Sequence, residues 1–280
     1  HLISLRFHRR RSGAARQSLR AWRQRHALWA LPWRPGTTLG TGIAWPKEVL
    51  MIELDNLCVR RGRRIILRDS SLSFLGGIVG LIAPNGSGKT TLLETLAVPW
   101  DRRVSGRLLV DGVATTPGEW ERYCFYLPSA VKLLEPLLAG REHAQIARRQ
   151  WRSDASIEKI AHACGASGII DIPVRKCSDG MRQLIALTVA MSTGARLLLL
   201  DEPLSALDPT NKERATRALA KWAATGRTVV MSTHDLGIAD SFCTAAVFVR
   251  EGRLATVSGK DLDGTSCQRL YREFYEERRS

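Results

Sequence analysis

A glycine-rich loop between an apolar run and a helical pattern constrains the fold of this chain more than any other feature. The apolar run covers residues 78–83, and the helical pattern covers residues 90–97. The connecting segment reads Ala83-Pro84-Asn85-Gly86-Ser87-Gly88-Lys89-Thr90-Thr91. Glycines let backbone N–H groups close around phosphates, and the N-terminus of a helix adds a partial positive charge. This order of strand, loop and helix predicts an α/β fold with a nucleotide-phosphate site.

The residue types in this loop predict separate contacts with nucleotide and metal. Lys89 supplies a point charge for the β- and γ-phosphates of ATP, and the Thr90 hydroxyl is suited to Mg²⁺. The residues predicted to bind nucleotide are Asn85, Gly86, Ser87, Gly88, Lys89, Thr90 and Thr91. The pattern G-x-x-x-x-G-K-[ST] has Ala83 in place of its first glycine, which is tolerated if that residue keeps a negative φ. Taken alone, the loop is also compatible with a glycine-rich turn that only precedes a helix.

A second apolar run, Leu197–Leu200, ends in two acids and a proline turn. Asp201 follows the run directly and is predicted to hold Mg²⁺ through water. Glu202 is predicted to polarise the water that attacks the γ-phosphate. Acids at the end of a strand are common, so this segment alone leaves a purely structural turn open.

The distribution of apolar residues predicts the fold class. Short continuous apolar runs, typical of strands covered on both faces, lie at residues 197–200, 228–231 and 246–249. Residues 51–60 and 63–67 flank an Arg61-Gly62 turn and predict an antiparallel hairpin, which residues 71–74 extend. Helical patterns cover residues 137–168 and 178–191. We therefore expect a parallel sheet wrapped by helices, an N-terminal antiparallel β subdomain, and an inserted helical subdomain spanning roughly residues 130–180.

An ordered series of short motifs gives the chain its strongest assignment. The series consists of Cys177-Ser178-Asp179-Gly180-Met181 before the acids, then Ser205-Ala206-Leu207-Asp208 and Ser232-Thr233-His234-Asp235 after them. His234 follows Asp201 by 33 residues. Together with the phosphate loop, this series resembles the ATP-binding subunits of ABC transporters over residues 51–258. The resemblance implies a P-loop NTPase core with ATP as the nucleotide and Mg²⁺ as the metal.

The resemblance also implies roles for individual residues. Ser178 and Gly180 belong to the signature loop, which faces the γ-phosphate held by another subunit. Asp208 belongs to the loop that crosses the dimer interface, and His234 is the switch histidine that contacts the γ-phosphate. The catalytic residues are then Lys89, Glu202 and His234, and the metal ligands are Thr90 and Asp201.

The chain departs from the family pattern at several of these positions. Asp179 and Met181 stand where the signature has glycine and glutamine. Ser129 stands where the family has a glutamine that reaches Mg²⁺, and a serine is too short to do so. Arg61 occupies the position that usually offers an aromatic ring to adenine, and its guanidinium either stacks on the base or is solvated. Because the predicted catalytic residues are all present, we expect the site to be catalytically active.

Residues 1–50 differ in composition from the remaining sequence. They carry nine Arg and Lys47 against Glu48, which accounts for +9 of the chain's net charge of +15. Since the charge is concentrated outside the ATPase domain, it does not predict a nucleic-acid partner. One interpretation is a basic amphipathic arm. We favour the interpretation that residues 1–50 are a non-native or disordered extension. In this hypothesis the gene is bacterial, and its native translation starts at Met51, after the extension. Lys47-Glu48-Val49 fits this hypothesis, because the codons AAG-GAG-GTN would encode these three residues. That nucleotide run contains a purine-rich ribosome-binding site a few nucleotides before the Met51 codon.

The functional prediction is a motor subunit of a membrane transporter. The six cysteines form no CxxC pair, which favours a reducing cytosol. Since no apolar run reaches the roughly 18 residues of a membrane span, we expect separate polytopic transmembrane subunits, a second ATPase subunit and a peripheral location at the cytoplasmic face of the membrane. Residues 259–280 are predicted to form a short C-terminal helical tail. A soluble ABC protein of DNA repair or translation and an ATP-gated binding module with negligible turnover remain as alternatives.

Overall fold

The structure is a computed structural model, and it describes residues 51–61, 64–98, 104–128, 133–250, 252–258 and 266–276. The predictions for residues 1–50 and for Ser129 lie outside these ranges, as do residues 259–265 and 277–280 of the predicted tail. The side chain of Arg61 is also outside the described part of the protein, so the prediction for its contact with adenine stays a prediction.

Ten strands lie within the described ranges and form two sheets. In chain order they are β1 (Met51–Arg61), β2 (Arg64–Leu75), β3 (Gly77–Ile82), β4 (Val104–Val110), β5 (Val113–Ala114), β6 (Cys124–Leu127), β7 (Leu197–Leu200), β8 (Thr228–Thr233), β9 (Ala245–Arg250) and β10 (Arg253–Ser258). The first sheet has the order β2-β1-β4-β5 and is antiparallel throughout. It confirms the predicted N-terminal antiparallel subdomain, with β1 and β2 as its hairpin.

The second sheet has the order β10-β9-β3-β8-β7-β6. Its strands from β9 to β6 run parallel, and β10 joins the edge as the antiparallel partner of β9. The strand order places β3, β8 and β7 side by side, so their carboxyl ends meet at one edge of the sheet. In open α/β sheets, ligands bind beyond this edge.

Strand β7 shows why its sequence is uniformly apolar. Leu198 and Leu200 pack into the core beneath the helical subdomain, whereas Leu197 and Leu199 pack into the core shared with the antiparallel sheet. Successive side chains of a strand point to opposite faces, so a strand covered on both faces needs apolar residues at every position. The parallel sheet is therefore the middle layer of the fold, and the α/β prediction is confirmed.

Eight α-helices complete the described part of the fold. They are α1 (Lys89–Ala97), α2 (Pro117–Tyr123), α3 (Gly140–Gln150), α4 (Ile157–Cys164), α5 (Asp179–Ser192), α6 (Pro209–Ala223), α7 (Leu236–Phe242) and α8 (Cys267–Tyr275). Helices α3 and α4 occupy the segment with the predicted helical pattern at 137–168. Sequence reasoning missed α2, β6, α6, α7 and β10. For α6 a signal was present, because Ala215, Ala218, Leu219 and Trp222 follow helical spacing and are buried.

The C-terminal helix α8 lies against the parallel sheet. Its Tyr275 hydroxyl is within hydrogen-bond distance of the carbonyl oxygens of Ile82, at 3.2 Å, and Val249, at 2.8 Å. These residues belong to the adjacent strands β3 and β9, so Tyr275 bridges two strands near the start of the phosphate loop. Among the described helices, none combines the length and the apolar character that crossing a membrane requires.

Candidate functional site

The phosphate loop runs from the end of β3 into the first turn of α1. Gly88 precedes the helix with φ 104°, and a Cβ at this position would come within 2.7 Å of the Ile66 side chain. Gly86 also has a positive φ, of 77°. Both positions favour glycine because other residues rarely adopt this conformation. Ala83 replaces the first glycine of the pattern and does not have a positive φ. The backbone at this position therefore tolerates alanine.

Lys89 lies inside this loop with a side chain directed at its backbone. Its Nζ donates to the carbonyl oxygens of Ala83, at 2.7 Å, and Pro84, at 3.3 Å. The residue is only 7% exposed. Burial lowers the pKa of Lys89 from its ordinary value, and the charges of Glu202 and Asp201 partly oppose this effect. The loop thus holds a buried ammonium close to the two acids that follow β7.

Thr90 and Asp201 form the first direct link between the loop and the strand ends. The Thr90 hydroxyl donates to Asp201 Oδ2 at 2.8 Å, although the two residues are 111 positions apart. Both atoms are oxygens, which Mg²⁺ prefers, and Mg²⁺ is usually held by one or two protein oxygens together with phosphates and water. Ser87 Oγ, in the same loop as Thr90, is buried and has no hydrogen-bond partner among the described residues. The residue types and their proximity therefore fit a magnesium–nucleotide complex.

A serine that sequence reasoning did not single out connects the two acids. The hydroxyl of Ser232, on β8, donates to Asp201 Oδ1 at 2.7 Å. Ser232 Oγ in turn accepts a hydrogen bond from the backbone N–H of Glu202 at 2.8 Å. Ser232 is fully buried, whereas most serines lie at the surface. The available signal was the position of Ser232 two residues before His234, at the end of an apolar strand.

Glu202 and His234 lie together at the exposed end of this cluster. His234 Nδ1 is 3.1 Å from Glu202 Oε2, and the histidine side chain is 64% exposed. Glu202 has φ 46°, a left-handed conformation that is unfavourable for a residue with a Cβ. Such strained residues occur often at functional sites. Asp235 fixes the following turn by accepting from the backbone N–H of Ile238 at the start of α7.

The predicted signature residues and Asp208 lie together in a second cluster. Ser178 is the N-cap of α5, and its side chain accepts from the backbone N–H of Met181. A Cβ at Gly180 would come within 3.0 Å of the carbonyl oxygen of Ala206, so the signature loop lies against the loop that leads to Asp208. Asp208 is the N-cap of α6. Hydrogen bonds from the backbone and side chain of Asn211 lower the pKa of Asp208.

Comparison with known proteins assigns the chain to a family. The sequence model described as ABC transporter matches residues 67–205. The glutamine transport ATP-binding protein GlnQ of Escherichia coli (strain K12) is 30% identical over 217 residues, which cover 73% of this chain and 90% of GlnQ. The chain belongs to the ABC transporter family. It is one of the family's ATP-binding proteins, which are ATPases, and the resemblance inferred from the motifs is confirmed.

Two further comparisons support the assignment of this chain to the ABC transporter family. The hemin import ATP-binding protein HmuV of Rhodococcus jostii (strain RHA1) is 30% identical over 241 residues, covering 82% of this chain and 81% of HmuV. The solved structure of an ATP-binding subunit of an ABC transporter superposes with a TM-score of 0.69 at 25% identity, covering 80% of this chain and 99% of the other. The roles of individual site residues in this ABC ATPase remain predictions.

Proposed function

We propose that this ABC ATPase is the motor subunit of a membrane transporter. In this proposal it binds MgATP, closes with a second ATPase subunit around two nucleotides, and hydrolyses ATP to drive separate transmembrane subunits. The observation that carries the proposal is the series of hydrogen bonds from Thr90 through Asp201 and Ser232 to Glu202 and His234. A series that joins a phosphate loop to two acids and a histidine is suited to phosphoryl transfer.

The predicted reaction assigns a separate task to each polar side chain. The backbone of the phosphate loop and Lys89 bind the β- and γ-phosphates. Glu202 orients water and accepts its proton as the oxygen attacks the γ-phosphorus, while the bond to the β-phosphate breaks and ADP leaves. His234 donates a hydrogen bond to the γ-phosphate. Mg²⁺, held by Thr90 and by Asp201 through water, would supply positive charge to the phosphates.

The helix N-termini at Ser178 and Asp208 support a dimer. Both residues are exposed, and each lies at the positive end of a helix, where anions bind favourably. We propose that Ser178 and Gly180 contact the γ-phosphate bound to the second subunit and that Asp208 crosses the interface. A site assembled from two chains would make hydrolysis dependent on dimerisation.

The dimer is tested with a variant that binds ATP without hydrolysing it. With MgATP, Glu202→Gln is expected to double its mass in size-exclusion chromatography with light scattering. Adding Gly180→Asp is expected to keep the protein monomeric while nucleotide binding persists, because an acid would then face the phosphate. Gly168→Asp controls for the added charge, since Gly168 is exposed and a Cβ there has no heavy atom within 4 Å, and the melting temperature of the Gly180→Asp protein controls for the contact of its Cβ with Ala206. A Glu202→Gln protein that stays monomeric at saturating ATP contradicts the dimer.

The membrane partner is expected to dock on the helical subdomain, at the cytoplasmic face of the membrane. Leu137 lies before α3 and is exposed, as is Val113 on β5 in the antiparallel sheet. A photo-crosslinking residue at position 137 is expected to capture a polytopic membrane protein in native membranes, and one at position 113 is not. Crosslinks from position 137 to ribosomes or DNA instead would refute the transporter assignment.

A further inference from the structure

We propose that Ser232 is a positioning residue that holds both acids of the ATPase site in their working geometry. The proposal rests on the proposed roles of Asp201 and Glu202 and adds a residue that those roles do not include. Its basis is the contact of one buried hydroxyl with two consecutive residues of a neighbouring strand end.

The direction of the two hydrogen bonds follows from the chemistry of the groups. A serine hydroxyl has one proton to donate and two lone pairs that accept. The backbone N–H of Glu202 can only donate, so it occupies a lone pair of Ser232 Oγ. The proton of Ser232 is then directed to Asp201 Oδ1, which accepts it. Both hydrogen bonds can therefore form at the same time, and together they fix the orientation of the Ser232 hydroxyl.

The first consequence concerns the two oxygens of Asp201. Because Ser232 engages Oδ1, the second oxygen, Oδ2, is the one that faces the Thr90 hydroxyl at 2.8 Å. Without Ser232, rotation about the Cβ–Cγ bond of Asp201 would exchange or displace the two oxygens. Ser232 therefore selects the carboxylate orientation that is offered to the predicted metal.

The second consequence concerns the backbone of Glu202. A φ of 46° is costly for a residue with a side chain and persists only where the surroundings enforce it. The hydrogen bond from the Glu202 N–H to Ser232 Oγ stabilises this conformation. The conformation sets the direction in which the Glu202 side chain leaves the strand end, where it meets His234 at 3.1 Å. Ser232 thus positions the predicted general base as well as the predicted metal ligand.

The test compares Ser232→Ala with Ser232→Thr, which keeps the hydroxyl, and with Ser192→Ala as a matched control. Ser192 is also fully buried, and its hydroxyl donates to the carbonyl oxygen of Thr188 within α5 at 2.7 Å. Loss of the Ser192 hydroxyl removes one buried hydrogen bond and loss of the Ser232 hydroxyl removes two, and only the second change touches the acids. The full-length chain is used for all variants, and kcat, KM, melting temperature and ATP affinity with Mg²⁺ or with EDTA are measured.

Ser232→Ala is expected to lower kcat about tenfold, a typical effect of losing a group that orients a metal ligand. We define the Mg²⁺ gain as the ratio of the ATP affinity with Mg²⁺ to the ATP affinity in EDTA. Ser232→Ala is also expected to lose most of the wild-type Mg²⁺ gain, while its ATP affinity in EDTA stays within about twofold of the wild type. Ser232→Thr is expected to restore both quantities. Ser192→Ala is expected to lower the melting temperature as well, and to leave kcat and the Mg²⁺ gain unchanged.

Two results would overturn the proposal: a Ser232→Ala protein that keeps its kcat and Mg²⁺ gain, or an equal loss of both in Ser192→Ala. If the added methyl group of Ser232→Thr prevents folding, Ser232→Cys, which keeps a weak donor in similar volume, is expected to show smaller losses than Ser232→Ala. Failure of the wild type to hydrolyse ATP would refute the motor proposal, whereas the affinity measurements would still test Ser232.

Discussion

The two clusters of predicted ATP-site residues are built in different ways. The strand-end cluster, which comprises Thr90, Asp201, Glu202, Ser232 and His234, is held by side-chain hydrogen bonds between segments that are far apart in the sequence. The helix-cap cluster comprises Ser178, Gly180 and Asp208. Its two polar side chains accept hydrogen bonds from the first turns of their own helices.

This difference indicates what each cluster can do by itself. The strand-end cluster brings a phosphate loop, two acids and a histidine together within one chain. The helix-cap cluster instead presents two exposed helix N-termini whose order is local. Substitutions in the first cluster should therefore alter chemistry or nucleotide binding in each subunit. Substitutions in the second should act on hydrolysis through the proposed dimer and leave nucleotide binding by a single subunit intact.

The largest expected effect in the strand-end cluster is that of Glu202→Gln. Removing the predicted general base is expected to lower kcat about 10³-fold, which corresponds to about 4 kcal/mol in the barrier. ATP affinity should stay close to that of the wild type. Phosphate release and equilibrium binding of ATP measure the two quantities. Glu213→Gln, in an exposed ion pair with Arg217 on α6, is the control and should keep full activity. Undiminished turnover in Glu202→Gln would remove the general base from the mechanism.

Lys89→Ala should separate binding from chemistry within the same cluster. Loss of a charged hydrogen bond to phosphate is expected to cost about 3 kcal/mol, or roughly a hundredfold in Kd for ATP. Isothermal titration calorimetry with MgATP measures this change. Lys221→Ala, at an exposed position of α6, removes the same charge away from the loop and should leave Kd unchanged. Equal ATP affinity in Lys89→Ala and the wild type would contradict the assignment of the phosphate loop.

Ser178→Ala tests the helix-cap cluster. Loss of the N-cap of α5 is expected to cost about 1 kcal/mol of folding stability. Hydrolysis should fall because the proposed contact with the γ-phosphate of the second subunit is lost, whereas ATP affinity at protein concentrations that keep the chain monomeric should not change. Ser156→Ala, which removes the N-cap of α4, is the matched control for stability. A Ser178→Ala protein that loses ATP affinity as a monomer would erase the distinction between the two clusters.

The smallest expected effect is that of Arg61→Tyr. If this position stacks on adenine, the aromatic ring should tighten ATP binding by about 1 kcal/mol or less. Comparing the affinities for ATP and for inorganic triphosphate separates an effect on the base from an effect on the phosphates. Unchanged affinity for ATP would show that the Arg61 side chain is solvated.

The sequence by itself determined the fold class and the main segments of the site. The phosphate loop, the apolar strand before Asp201 and the segment at His234 can be read locally, because each depends on residue types and spacing within a few positions. Glycines at positive φ, acids after a buried strand and helix N-caps all leave such local patterns. For the same reason, Ser178 could be placed at a helix start from the pattern at residues 178–191, whereas Asp208 was predicted only as part of a loop.

The tertiary structure alone decided how these segments meet. Ser232 belongs to a strand whose sequence gives no sign of its neighbours, and its two partners follow β7, about 30 residues earlier. The approach of Gly180 to Ala206 likewise depends on how α5 packs beside the loop after β7. Strand order and helix packing arise from burial of apolar surface, which is non-directional and does not specify in the sequence which polar atoms will become neighbours. Those hydrogen bonds can be assigned only after the backbone has been placed.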